Sequence, residues 1–314
     1  MNKLVGVIGT GYWGKKHVDE YKQLGANLII ADPIEENLKL VKEKFGVDGV
    51  KNYKDLLSNP DVYALSICIP NEMHFKVCKE ALEAGKHVLL EKPLTLKYSE
   101  AVELVKLAKS KKLILAVGHI FRFNNAIRKA KEMVDSGEFG RIYLLKLTWT
   151  NLEPIWNNRD ILFDLGAHPF DIVNFLFGKN PEEISCIGEV FRKPFGEEAA
   201  FVNGKIGHIL INLEMSWVTP EKTRRLVIVG EKKTVFIDCL SQETKVFDLA
   251  AKTLTDAGVI PSNTIRLELE HFLQCIEKKE INFADGAIGA EMIRIIEIAK
   301  KSLDEKKVLK IPKI

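Results

Sequence analysis

Three short stretches carry side chains able to move a proton and steady a charge. In Glu91-Lys92-Pro93 the lysine offers a cation for a developing alkoxide, and the proline suits a sharp turn that accepts a cis bond. In Asp164-Leu165-Gly166-Ala167-His168-Pro169 a carboxylate and an imidazole stand four residues apart where a helix begins, because Pro169 is tolerated only in a first helical turn. Imidazole titrates near neutrality, so His168 is the natural acid/base, with Asp164 to orient it or to bind a substrate hydroxyl. In Ile69-Pro70-Asn71-Glu72-Met73-His74 the proline sets a turn and Asn71 suits an N-cap. Local spacing leaves a second reading open for each: Lys92 as a surface lysine, Asp164 as an N-cap, His168 and His74 as satisfied core histidines.

The partner for such groups is written at the N-terminus. Gly9-Thr10-Gly11-Tyr12-Trp13-Gly14 follows an apolar run and opens into a helix-period stretch, the order a dinucleotide diphosphate requires. Gly9 makes the turn, Gly11 admits the backbone to the phosphates, and Gly14 lets helix and strand pack closely. A second apolar run ends in Asp32, about 20 residues on, where a carboxylate can accept from the adenosine ribose hydroxyls. That charge repels a 2′-phosphate and the next Lys or Arg is Lys39, so NAD is favoured, with NADP left open to a cation from another loop.

These residues need elements to hold them. Strand patterns at 3–8, 27–31, 62–68, 87–90 and 113–117 alternate with helix patterns at 13–24, 34–45, 72–84 and 98–110, which predicts a doubly wound parallel α/β sheet over residues 1–120. The loops at 69–74 and 91–93 then leave its carboxyl edge, where open α/β sheets bind ligands. Beyond residue 120 a helix at 124–136, a long strand at 141–150, a short apolar helix at 167–177 and several close-set strands predict an α+β domain over 121–314 with an open, mostly antiparallel sheet. Asn203-Gly204 reads as a two-residue hairpin turn, and Gly230-Glu231-Lys232-Lys233 as a second antiparallel connection. The final helix patterns, 264–278 and 285–302, could pack on either domain. Leu145, Leu147, Ile209, Val227, Val229 and Phe236 make more apolar surface than these helices can cover, so pairing of subunits across the sheet, as a dimer or tetramer, is expected.

Composition excludes several classes. With 46 Lys and Arg against 43 Asp and Glu in 314 residues, a net charge of +3 gives no case for nucleic acid or an anionic membrane as partner. Five scattered cysteines with no C-x-x-C pair suggest reduced thiols and no metal site. The first strand starts too early for a leader, no apolar run spans a membrane, and the cytoplasm is the expected compartment.

Together, residues 9–14, 69–74, 91–93, 118–124 and 164–171 resemble, in order and rough spacing across the whole chain, the glucose-fructose oxidoreductase / inositol dehydrogenase (Gfo/Idh/MocA) family. The resemblance implies a Rossmann domain followed by an α/β domain whose open sheet commonly mediates oligomers. It implies that Lys92, Asp164 and His168 form the catalytic set, and that Gly9, Thr10, Gly11, Tyr12, Trp13, Gly14, Asp32, Ile69, Pro70, Asn71, His74, Glu91 and Lys92 line the NAD. Substrate would meet Lys92, His119, Arg122, Asn157, Asp164 and His168. Gly118-His119-Ile120-Phe121-Arg122-Phe123-Asn124 most resembles members that oxidise nucleotide-linked amino sugars, of the UDP-N-acetylglucosamine 3-dehydrogenase type. The segment ahead of Asp164 departs from the paired glycines frequent in the family and reads Asn157-Asn158-Arg159-Asp160-Ile161-Leu162-Phe163. The expectation is oxidation of a sugar's secondary hydroxyl to a ketone. Its rivals are an inositol or free-sugar dehydrogenase, an enzyme that recycles bound cofactor for elimination or hydrolysis, and a non-catalytic NAD-sensing regulator.

Overall fold

A computed structural model describes residues 3–156, 160–192, 194 and 196–312. The chain divides into two compact units: Met1–Ile120 with Asn263–Ile293, and Phe121–Ser262 with Arg294–Ile314.

In the first unit the short apolar runs become parallel strands: β1 (Leu4–Ile8), β2 (Leu28–Ala31), β3 (Gly49–Val50), β4 (Val62–Ile67), β5 (His87–Leu90) and β6 (Leu115–Val117). Helices α1 (Tyr12–Gln23), α2 (Glu35–Phe45), α3 (Lys54–Ser58), α4 (His74–Glu83) and α5 (Tyr98–Lys111) connect them. The strands lie in the order β3-β2-β1-β4-β5-β6, a doubly wound Rossmann sheet. Val7, Ile30, Leu65 and Leu90 are sealed from water, as strands covered on both faces must be. Strand order reverses between β1 and β4, and outside the carboxyl ends at such a reversal lies the ligand crevice of open α/β sheets. Residues 9–14, 69–74 and 91–93 all leave those ends. β3 and α3 are too short to leave a periodic signal in the sequence.

Residues 263–293, inside the 121–314 bounds drawn from sequence but left free to pack on either domain, belong to the first unit. The helix Thr264–Ile276 explains why: its Leu269 and Phe272 complete the core cluster of Val5, Val18, Tyr21 and Ile30, while Asn263 and Arg266 donate to Glu20 of α1 at 2.7 and 2.8 Å. Burying two such side chains contributes about 3–6 kcal/mol.

The second unit is a nine-stranded sheet: β7 (Ile142–Leu152), β8 (Glu183–Glu189), β9 (Ala199–Ile206), β10 (Ile209–Ser216), β11 (Val218–Gly230), β12 (Lys233–Asp238), β13 (Thr244–Asp248), β14 (Thr253–Asp256) and β15 (Leu309–Lys310). Their order is β14-β13-β12-β11-β7-β10-β9-β8-β15, with β7 and β10 parallel and the other pairs antiparallel. Helices α6 (Asn125–Asp135), α7 (Ile161–Asp164) and α8 (Ala167–Phe177) belong to the same unit.

Two sequence readings change here. Asn203-Gly204 is not a turn: both residues lie within β9, and the chain reverses at Gly207-His208, where Gly207 has φ of +59° and Ile206 pairs with Ile209. Turning earlier would have taken Ile206 out of the buried set Ala200, Val202 and Ile206. Of the six apolar residues expected on an open face, Leu145, Leu147 and Ile209 point into the core, while Val227, Val229 and Phe236 are half-buried on the other face. Leu210 at 52% exposure and Phe201 at 41% carry more of the uncovered apolar surface.

Candidate active site

At the glycine turn the backbone has little freedom. Gly9 sits at φ of +82°, and a Cβ on Gly14 would collide with the Gly9 carbonyl, so α1 packs directly on the end of β1. No side chain caps α1 at Gly11, no acidic residue occupies its first turn, and a Cβ on Gly11 would meet no protein atom within 4 Å. This is an uncapped, positively polarised helix start with room beside it, which fits the diphosphate of NAD. Tyr12 is 71% exposed, and the rings of Tyr12 and Trp13 meet edge to face with Lys16 Nζ 4.4 and 4.9 Å from their centroids.

Asp32 stands at the end of β2, as the ribose reading requires, but its carboxylate also holds the protein together. Oδ2 accepts from Thr10 N at 2.7 Å, Thr10 Oγ1 at 2.8 Å and Asn37 Nδ2 at 3.2 Å, and Oδ1 accepts from Ile34 N at 2.9 Å. Burial pushes this carboxyl up, yet the four donors bring it below the usual range, so it is ionised. Only Oδ1 keeps a lone pair for a ribose hydroxyl.

The 69–74 and 91–93 loops are joined by His74. It is fully buried, with Nδ1 2.7 Å from the Pro93 carbonyl and Nε2 3.0 Å from the Ile69 carbonyl. Burial lowers its pKa although both carbonyls work the other way. The ring thus links the two loops through their carbonyls, a structural role that stands beside the cofactor contact expected from sequence. Asn71 opens a 3-10 turn, Asn71–Met73, and does not serve as a side-chain cap. Pro70 is exposed, Ile69 and Lys92 are half-buried, and the Lys92–Pro93 bond is cis. Glu91 and His119 are buried.

In the second unit, Asp164 and His168 flank the bend between α7 and α8. Asp164 is the last residue of α7 and occupies the N-cap position of neither helix. Asp160 caps α7 by accepting from Leu162 N at 2.8 Å, and Gly166 stands at the N-cap of α8. Lys300, on the helix Gly286–Glu305, binds both Asp160 and Glu197 and so fixes the start of α7. Burial and the facing Glu197 carboxylate raise Asp160. Lys300→Met would leave two partly buried carboxylates without their cation, and is expected to destabilise the protein by about 2–4 kcal/mol, checked by urea denaturation. Lys300→Arg should recover most of that loss; an unchanged midpoint for Lys300→Met would remove the clamp.

His168, 9% exposed, meets Phe121 edge to face at 5.0 Å between centroids, and Phe121 in turn meets Trp149 at 4.9 Å. The imidazole thus stands against an aromatic wall that the sequence does not reveal. Arg224 of β11 lies 5.5 Å from the Trp149 ring and donates to Thr150 O, Thr223 O and Asn151 Oδ1. Burial lowers it to about 10, partly offset by the charges of Glu153 and Asp164. Arg122, expected at substrate, is buried, with Nε 2.7 Å from Asp171 Oδ1 and Nη2 2.9 Å from Asn174 Oδ1, which ties residues 121–123 to α8. Asn157 lies outside the described residues.

Comparison with known proteins follows this division. Residues 3–119 match the model described as an oxidoreductase family with an NAD-binding Rossmann fold, and residues 127–236 match the GFO/IDH/MocA C-terminal domain. The chain is 27% identical to myo-inositol 2-dehydrogenase of Thermotoga maritima over 99% of both proteins. It is also 27% identical to UDP-N-acetylglucosamine 3-dehydrogenase of Acidithiobacillus ferrooxidans over 92% of this chain and 93% of that one. A solved structure of the latter superposes with a TM-score of 0.87, covering 97% of this chain and 99% of that one at 25% identity. Levoglucosan dehydrogenase in complex with NADH and levoglucosan, 19% identical with a TM-score of 0.89 and full coverage of both chains, shares the fold. With both domains matched in order, the chain belongs to the Gfo/Idh/MocA family of NAD-binding oxidoreductases.

Proposed function

We propose that the protein is an NAD-dependent dehydrogenase oxidising a secondary hydroxyl of a sugar, with a nucleotide sugar of the UDP-N-acetylglucosamine type as leading substrate. Asp164 and His168, flanking the bend where α7 gives way to α8, carry this reading: a carboxylate and an imidazole, the types acid/base work needs, stand four residues apart at one helix junction. When bound, NAD supplies the hydride acceptor. His168 takes the hydroxyl proton, Asp164 orients the imidazole or binds the sugar ring hydroxyl, and Lys92 steadies the oxygen as negative charge grows on it. Gly9, Gly11, Gly14 and Asp32 hold the dinucleotide, with Ile69, Pro70, Asn71 and Glu91 shaping the loops beside it.

The near full-length likeness to the Acidithiobacillus enzyme supports the nucleotide-sugar choice, and the equal identity to the Thermotoga inositol dehydrogenase supports inositol or a free sugar as second reading. Exposed Phe201 and Leu210 support pairing of copies through the second-unit sheet. Five free thiols, four of them buried, suit a reducing cytoplasm, and among the described residues no helix is long and apolar enough to cross a membrane. The test is a panel of UDP-sugars, inositols and free sugars with NAD, followed by NADH absorbance. Turnover with UDP-N-acetylglucosamine far above the rest is expected; preference for an inositol moves the reading to its second form, and no reduction with any member of the panel overturns it.

A further inference from the structure

His17, buried on α1, has no part in the scheme above. Its ring nitrogens face different partners: Nδ1 is 2.7 Å from Ser66 Oγ and 3.5 Å from Cys68 Sγ, and Nε2 is 3.1 Å from Glu91 Oε1. Ser66 lies in β4, Cys68 follows it, and Glu91 follows β5, so one imidazole ties the glycine-loop helix to the ends of two neighbouring strands.

His17, Cys68 and Glu91 place ligand atoms within 4.8 Å of one another, a set that could also suit a metal. The placement argues otherwise, since the thiol stands off Nδ1 and the carboxylate off Nε2, and one ring nitrogen would have to serve both sides of a shared ion. Hydrogen bonding fits instead. Burial pushes Glu91 up, but the His17 hydrogen bond and the positive charge of Lys92 hold it below the usual carboxylate range. An ionised carboxylate has no proton to give, so Nε2 donates to Glu91, while the Ser66 hydroxyl, which can give or take a hydrogen bond, meets Nδ1.

We infer that His17 is a positioning residue for Lys92, acting through Glu91. The second carboxylate oxygen, Oε2, accepts from Lys92 N at 3.3 Å, and a Cβ on Gly118 would stand 3.0 Å from that oxygen. The carboxylate is therefore held by the imidazole, by the Lys92 peptide and by the close approach of Gly118. It fixes the lysine's backbone and presents a buried negative charge to which the charge of Lys92 is coupled. Losing the Nε2 donor leaves a buried carboxylate short of a partner, which turns away or takes up a proton, and Lys92 loses orientation and field together.

This inference rests on the role given to Lys92 above, and two isosteric changes test it. Glutamine places an amide nitrogen as many bonds from the backbone as histidine Nε2, and asparagine does so for Nδ1. His17→Gln thus keeps a donor for Glu91 and gives up Ser66, while His17→Asn does the reverse. His17→Asn is expected to lower kcat by about tenfold or more with KM for NAD changed less than about threefold, and His17→Gln to recover most of that loss. Equal losses in the two variants, or losses confined to KM for NAD, overturn the inference. Where either variant fails to fold, Glu91→Gln is expected to give the same fall in kcat with KM for NAD preserved, and normal turnover in it overturns the inference as well. Lys92→Ala, measured alongside, separates the failures. If it turns over normally, the role of Lys92 is wrong; if it is inactive while the two His17 variants match each other, only the positioning by His17 is wrong.

Discussion

Lys92→Ala is expected to lower kcat by about 10²–10⁴, or about 3–5 kcal/mol of barrier, while the dissociation constant for NAD changes by only a few fold. An ammonium matters most when charge accumulates on the reacting oxygen, so its loss falls on the transition state and spares the bound ground state. The features that fit the dinucleotide lie elsewhere: the uncapped start of α1, the close packing of Gly9 and Gly14, and Asp32 with its four donors. Lys92→Arg is not expected to rescue, because a planar fork cannot replace a point charge on a short approach. Steady-state kinetics with the best sugar of the panel, and calorimetric titration of NAD into the variant, give the two numbers. Near-normal turnover refutes the assignment of Lys92, and a collapse of NAD affinity would recast the lysine as a cofactor ligand.

How much of this was legible in the sequence depends on the range of the cause. The parallel sheet and its glycine turn were readable because period, run length and the steric demand at residues 9–14 are local. The types of Asp164 and His168 were readable too, yet whether Asp164 was a cap depended on Asp160 and on the bend at Gly166, which spacing alone does not place. The Asn203-Gly204 turn failed for a related reason: turn residues permit a reversal, but the register that buries Ile206 decided where it fell. Amphipathic period showed that the helix Thr264–Ile276 buries one face, without showing that the first unit supplies the cover. Contacts between distant positions left no local trace. His17 and Glu91 are 74 residues apart, and Lys300 and Asp160 are 140 apart. His17 could have been flagged, since it shares the buried face of α1 with Gly14, Val18 and Tyr21, where a polar side chain needs a partner.

Replacing His168 is expected to be nearly as damaging as replacing Lys92, with a different signature. His168→Gln should lower kcat by about 10²–10⁴, because the hydroxyl proton must then leave to solvent as hydride departs. Wild-type kcat/KM should rise with pH as the base loses its proton and then level off. In the variant that limb should disappear, and the residual rate should climb with hydroxide. Packing makes the choice of glutamine matter: His168 stands edge to face on Phe121, and a smaller side chain would loosen α8 where Arg122 and Asp171 pair. A thermal midpoint close to wild type would show that the loss is chemical. Asp164→Asn should fall between the two extremes, about 10–10²-fold down, since an amide still binds a hydroxyl but cannot stabilise the imidazolium that forms. If His168→Gln keeps the wild-type pH limb at reduced rate, another group takes the proton, and Asp164 and His168 flank the α7–α8 bend for some other purpose than acid/base work.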